Sequence, residues 1–253
     1  MTVTLYNGSM KQLDNTKQLN QRVLFAGDIH GNESHLRWLY KHATKNDVET
    51  IIACGDFGYW IHLPFGKRFL ALCATLAEKN EIPLMWIDGN HENHDLLDNL
   101  RDLHGSDNPI PTPNEWVKWI PRGCRFDING HTFMGYGGAF SVDWQHRELG
   151  RTYWRQELIS PYHIDSLSSD KVDVLITHDA PFGKELTYKD DIPVSVYQRE
   201  LVLEIQDKVK PDLHVCGHHH VRETWDSNGT EVHVLGRDTM DKESVLIRDF
   251  PAR

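Results

Sequence analysis

The chain has 253 residues, 39% apolar and 25% charged, with a formal net charge of −10 at pH 7. That length and apolar share suit one compact domain, and the acidic balance excludes a broad basic face for capturing nucleic acid. No apolar run is long enough to span a bilayer, so a protein without a membrane partner is expected, and nucleic acid stays open only as a locally held substrate.

Residues 1–20 are polar and lack the basic-then-apolar plan of a secretory signal, so a cytoplasmic location is expected. Residues 1–21 read as an N-terminal arm or edge segment, followed by a single domain over 22–253. The first strand is predicted at 22–26 (RVLFA) and a helix at 33–44. Further strands follow at 50–54, 83–87, 172–177 and 213–216, and further helices at 66–79, 94–100, 160–167 and 194–208. Each strand is a short apolar run that ends abruptly in polar residues, usually with a glycine, as buried strands feeding sharp loops do. Strands alternating with helices indicate an α/β sheet. Two stretches break the alternation: 124–128 with 132–136 around Asn129-Gly130, and 222–226 with 231–235 around Asn228-Gly229. Asn-Gly tolerates positive φ at both turn positions, so both stretches read as hairpins of a second, more antiparallel sheet. Cys54, Cys73, Cys124 and Cys216 are widely separated and form no CxxC, which points to reduced thiols rather than a disulfide framework or a thiolate zinc site.

Five polar segments stand directly after strand candidates: Gly27-Asp28-Ile29-His30, Gly55-Asp56, Gly89-Asn90-His91-Glu92, Thr177-His178 and Gly217-His218-His219-His220. Side chains at strand ends converge on one sheet edge, where open α/β folds place their ligands. In an extended segment alternate residues face the same way, so Asp28 pairs with His30 and His218 with His220, while His219 faces away. Carboxylate, amide and imidazole donors without thiolate suit Mn²⁺, Fe, Zn²⁺, Co²⁺ or Ni²⁺. Asp28, His30, Asp56, Asn90, His178, His218 and His220 are too many for one ion, and a carboxylate such as Asp56 can bridge two. The glycines preceding these motifs are expected to let the backbone turn tightly. His94, His214 and His219 default to packing or surface roles, and Glu92 or Asp95 is a candidate to orient His91.

The ordered set Asp-x-His, Gly-Asp, Gly-Asn-His-Glu, His, Gly-His-x-His resembles the calcineurin-like metallophosphoesterase superfamily, in its bacterial and phage-type members. The resemblance implies an α/β-β/α sandwich of two mixed sheets flanked by helices, and two divalent ions, with manganese foremost. It also implies that Asp28, His30, Asp56 and His220 hold one ion and that Asp56, Asn90, His178 and His218 hold the other. His91 matches the catalytic histidine.

Phosphoprotein phosphatases of that superfamily carry arginines beside Gly-Asp and before Gly-Asn-His. Here those positions continue as Phe57-Gly58-Tyr59-Trp60 and are occupied by Asp88. Without those cations to clamp a dianionic monoester, a small phosphodiester of nucleotide or cyclic-nucleotide type is the expected substrate. A nuclease or phosphoprotein phosphatase is the alternative, and a non-catalytic scaffold ranks last. Between the metal motifs, a glycine-rich stretch from Gly135 leads to Trp144, His146, Arg147, Arg151 and Arg155. The three arginines would share one helix face if Gly150 does not interrupt it. His146 and Arg147 are the substrate-contact candidates, with aromatics available to stack on a base.

Overall fold

In a computed structural model, residues 20–187 and 192–253 are described. Twelve strands among them form two six-stranded sheets. The first sheet contains β1 (Asn20–Ala26), β2 (Thr50–Ala53), β3 (Leu84–Trp86), β4 (Ile110–Pro111), β5 (Val117–Trp119) and β12 (Val245–Pro251), in the order β12-β1-β2-β3-β5-β4. Its centre, β1-β2-β3-β5, is parallel, and its two edge pairings are antiparallel. The second sheet runs β10-β11-β9-β8-β7-β6, built from β6 (Arg125–Ile128), β7 (His131–Tyr136), β8 (Val174–Thr177), β9 (Leu213–Cys216), β10 (Glu223–Ser227) and β11 (Thr230–Val234). Both Asn-Gly hairpins belong to it, at opposite edges. The sheet is nevertheless less antiparallel than the hairpins suggested, because its four inner strands pair parallel.

Alternation along the strands explains the layering. Leu24, Ala26, Ile51 and Ala53 face helices α1 (Glu33–Lys45) and α2 (Pro64–Asn80) in one core. Their neighbours Val23, Phe25 and Ile52 face the other way and pack with Phe133, Ile176 and Val215 of the second sheet. Met134, Tyr136 and Leu175 then turn outward onto α4 (Pro161–Asp165) and α5 (Pro193–Val209). The result is helices, sheet, sheet, helices: the expected α/β-β/α sandwich. Buried on both faces, the central strands read as continuous apolar runs. The helices begin and end where their ends are satisfied. Asn32 caps α1 by accepting from the backbone of Ser34 and His35, and α2 and α5 start with proline at the first turn and end on left-handed Glu81 and Lys210. Helix α3 (His94–His104) starts at the Asn93 cap, just after the Asn90-His91 motif.

Residues 1–19 of the predicted arm lie outside the described residues, and Asn20 and Gln21 begin β1. The antiparallel edge beside β1 is provided by β12 from the far end of the chain. All four cysteines are buried and free. No helix among the described residues is long and apolar enough to cross a membrane.

Candidate metal centre

The five motifs follow β1, β2, β3, β8 and β9, all at the carboxyl ends of parallel strands, and so meet on one side of the sandwich. Asp28, His30 and His220 present ligand atoms within 4.8 Å of one another, as do Asp28, Asp56 and His178, and His30, Asp56 and His91. Asp56 stands between the groups. Its Oδ1 is 3.4 Å from His178 Nε2, and its Oδ2 is 3.4 Å from His30 Nε2 and 3.7 Å from His91 Nε2. Two carboxylate oxygens aimed at different imidazoles are the arrangement a bridging ligand requires. His218 completes the set, its ring 5.0 Å from that of His178, centroid to centroid.

Hydrogen bonds at their outer atoms fix how the candidate donors are aimed. His178 Nδ1 donates to the Cys54 carbonyl at 2.8 Å, which leaves its Nε2 as a lone-pair donor. Asn90 Nδ2 donates to Ser141 Oγ at 3.0 Å, which turns Asn90 Oδ1 towards His178 Nε2, 3.1 Å away. Three electron-pair donors, from His178, Asn90 and Asp56, thus face one another. Asp28 Oδ2 is completely buried and makes no hydrogen bond, although His220 Nε2 is 2.9 Å from it. Such a cluster is unfavourable without a cation between its members, so these residues fit divalent metal.

Charge distribution points the same way. Burial by itself would raise the Asp56 carboxyl, but His91, His178 and His30 outweigh it and hold Asp56 well below the ordinary carboxylate range. Asp28 is likewise lowered despite burial, by the adjacent His220 ring and the charge of His178. Burial opposes protonation of His30 and His178, yet Asp56 and Asp28 push them up to about 9 and about 10. A site that gathers positive charge onto its histidines when no ion is present has anionic character suited to cations. His91 differs: burial lowers it, Asp56 opposes that, and Arg147 and the neighbouring histidines add to the lowering.

Two sequence expectations change in their physical reason. Four of the seven candidate ligands do not lie on extended segments: His30 (φ 50), Asp56 (φ 43), His218 (φ 65) and His220 (φ 56) are all left-handed, a conformation disfavoured for residues with a Cβ. Tertiary contacts hold them there. The Asp56 carbonyl accepts from Ile29 and His30, and the Phe57 carbonyl from Gly31, locking the first two motif loops together. Of the motif glycines, Gly55 alone has positive φ, at 94°. Gly89 is needed for space, since a Cβ there would run into the Asp56 carboxylate.

Neither Glu92 nor Asp95 orients His91. Glu92 is buried and accepts from the backbone of Gly58 (2.9 Å) and Gly89 (2.6 Å), fastening the second motif loop to the third. Asp95 accepts from Trp154 Nε1 and Gln156 Nε2, both at 2.9 Å. His219 turns away onto Asp179, and His214 is buried in β9, as expected of packing residues.

Arg147 reaches the centre: its Nη2 is 3.1 Å from His91 Nε2 and 2.7 Å from Asp143 Oδ1, and its buried Nη1 has no hydrogen-bond partner among the described residues. His146 is exposed on the short 3-10 turn Trp144–His146 and does not line the metal-centre cavity. No helix carries the three arginines. Gly150 (φ 75) interrupts the segment, and Arg151 and Arg155 point away into solvent-exposed positions.

The structure adds residues that sequence reasoning did not single out. Asp238 lies with Oδ1 3.4 Å from His30 Nδ1, while its Oδ2 accepts from Asn32 Nδ2 at 2.7 Å, so the helix cap and the ligand histidine share one carboxylate. Glu157, fully buried, accepts from the Ser141 backbone at 2.7 Å, backing the Ser141–Asn90 contact. Neither residue carries a local signal, because each acts across a large sequence separation.

The wider comparisons agree with this geometry. GAP50, the anchor in the inner membrane complex of Plasmodium, superposes with a TM-score of 0.56 at 13% identity, over 92% of this chain and 82% of that one. TT1561 of Thermus thermophilus gives 0.55 at 14% identity, over 92% and 99%. A dimetal phosphatase from Danio rerio gives 0.50 at 12% identity, over 86% and 88%. At such identities the likeness is one of fold. No curated protein matches in sequence. The family model for calcineurin-like phosphoesterases matches residues 21–222, which takes in all five motifs. The chain therefore belongs to the calcineurin-like phosphoesterase family of metal-dependent phosphoester hydrolases.

Proposed function

We propose that the protein is a dinuclear metal-dependent phosphodiesterase acting on small nucleotide or cyclic-nucleotide diesters. The observation that carries this reading is the position of Asp56, whose two carboxylate oxygens face His178 on one side and His30 on the other. Asp28, His30, Asp56 and His220 would hold one ion and Asp56, Asn90, His178 and His218 the second. Manganese is assigned first, and Fe, Zn²⁺, Co²⁺ or Ni²⁺ suit the same oxygen and nitrogen donors. When bound, two divalent ions lower the pKa of a water and neutralise charge on phosphoryl oxygens.

The chain's own residues position and stabilise. His91, with 36% of its side chain exposed, stands at the mouth of the centre with Nε2 in contact with Arg147. As acceptor for that guanidinium, the ring carries its proton on Nδ1. When a phosphoryl oxygen draws Arg147 away, Nε2 is free to take up the proton shed by the attacking water and pass it to the leaving alkoxide. The guanidinium then donates to that same phosphoryl oxygen. Asp143 offsets the charge of Arg147, so the pair adds no net cation, which favours a singly charged diester over a dianionic monoester. The cavity at the centre is about 330 Å³, the scale of a small ligand. Of the aromatics beside Arg147, Trp144 is exposed outside the lining of that cavity and Trp154 is buried.

The test is a panel of bis-p-nitrophenyl phosphate, p-nitrophenyl phosphate, cyclic nucleotides, single- and double-stranded DNA and a phosphoserine peptide, using Mn²⁺-reconstituted protein with Asp56→Asn as blank. Turnover of the bis ester about tenfold or more above the monoester is expected, a difference of about 1.4 kcal/mol in barrier. Comparable turnover would remove the diester assignment, and efficient cleavage of DNA would make the protein a nuclease.

A further inference from the structure

A second cavity, about 690 Å³, lies beside α3, between the strand ends that carry Trp119 and Tyr136 and the segment 155–167. No residue lines both this cavity and the one at the metal centre. We propose that it is a separate binding site for a small organic anion, a molecule with an aromatic or aliphatic body and one carboxylate or phosphate group.

Tyr136 and His94 line its inner wall with ring carbons, their polar atoms being buried behind it. Apolar walls come from Leu97, Trp119, Ile159 and Leu167. An occupant of mixed character, apolar with a few polar contacts, matches the usual composition of small-molecule sites.

Charge decides the sign of the ligand. Asp88 is already held by Arg122, whose Nε donates at 2.8 Å, and Arg122 spends its other donors on the carbonyls of Leu158 and Glu157. Asp98 is paired with Arg101 at 2.8 Å. Arg155 also lines the cavity, and its guanidinium has, among the described residues, neither a hydrogen bond nor an ion pair. His163 adds a further basic group beside it. Three guanidinium groups against two carboxylates leave a cationic excess in a protein whose net charge is −10. An unpaired guanidinium recognises planar carboxylates and phosphates with two parallel hydrogen bonds.

The probe pair is 1-naphthoate and its neutral counterpart 1-naphthalenemethanol, titrated calorimetrically into the Mn²⁺-loaded full chain. One saturable site for naphthoate is expected, with the alcohol weaker by about tenfold or more because it lacks the charged hydrogen bonds to Arg155. Arg155→Glu, a change at an exposed position, should weaken naphthoate by a similar factor, and Leu167→Trp should weaken it by narrowing the cavity. Asp56→Asn, which disables the metal centre, should leave naphthoate affinity unchanged. Melting curves confirm that each variant is folded. Absence of saturable binding, equal affinity for acid and alcohol, or indifference to both cavity variants would overturn the proposal. So would loss of binding in Asp56→Asn, since the carboxylate would then be sitting on the metals.

Discussion

Ser141→Ala is the most informative single substitution, because it removes no proposed metal ligand and yet acts directly on one, Asn90. The hydroxyl accepts from Asn90 Nδ2 at 3.0 Å, and Ser141 is 1% exposed. Alanine fits the space but leaves the Asn90 amide N–H buried without an acceptor, a loss of about 1–3 kcal/mol in stability. For a domain of this size each kcal/mol lowers Tm by about 2–4 °C. The functional loss is separate. Nothing then holds Asn90 Oδ1 towards His178, and the amide is free to turn its nitrogen to the ion. Removing an orienting partner of a metal ligand lowers metal affinity by about 10–100-fold, or about 1.4–2.7 kcal/mol. Mn²⁺ is titrated into chelator-treated wild type and variant by calorimetry, with Tm read on both forms. Two binding events are expected in the wild type, one of them weakened in Ser141→Ala and the other unchanged. Equal affinities at both sites, with Asn90 therefore indifferent to its amide partner, would refute the positioning role of Ser141.

Arg147→Ala is expected to lower kcat/KM for the bis ester by about 10–100-fold, a single charge-assisted contact being worth about 1.5–3 kcal/mol, while Mn²⁺ content stays unchanged; unaltered kinetics would remove Arg147 from the site. Asp238→Ala should weaken metal binding by about tenfold or more by releasing His30 from its carboxylate, and calorimetric titration compares it directly with Ser141→Ala. Chelation of wild type should lower Tm and re-addition of Mn²⁺ restore it, since a ligand bound only by the folded state stabilises it by mass action. Burial holds His214 down to about 3, with Nδ1 donating to Gln206 and Nε2 beside the Thr177 hydroxyl. The unfolded ring protonates below about 6.5 while the folded one stays neutral, so stability falls as pH drops from there towards 3, by up to about 1.4 kcal/mol per pH unit. Urea denaturation of chelated protein between pH 6 and pH 4 should therefore show a steeper loss in wild type than in His214→Gln, and parallel slopes would contradict this.

The strands that carry the motifs were legible because they are buried on both faces and so read as uninterrupted apolar runs. Helices α1, α2 and α5 showed through their apolar spacing, and the two hairpins through Asn-Gly. Strands β4 and β5 were not legible: they span only Ile110–Pro111 and Val117–Trp119, too short for a period to show. Strand β12 was missed for another reason. Its sequence, VLIRDFP, mixes charge into an apolar run, and it becomes a strand by pairing with β1 across more than two hundred residues.

Residue type and order by themselves determined the family, the donor chemistry and the seven candidate ligands, because a mixed oxygen and nitrogen set behind successive strands admits few other arrangements. Tertiary structure alone decided how those donors are aimed. The left-handed conformations of His30, Asp56, His218 and His220 are disfavoured locally and persist because neighbouring loops hold them. Ser141 and Glu157 behind Asn90, Asp238 behind His30, and Arg147 beside His91 enter the site by folding. A hydrogen bond between residues far apart in the chain leaves no trace in local periodicity or propensity, and only the packing of the two sheets brings its partners within reach.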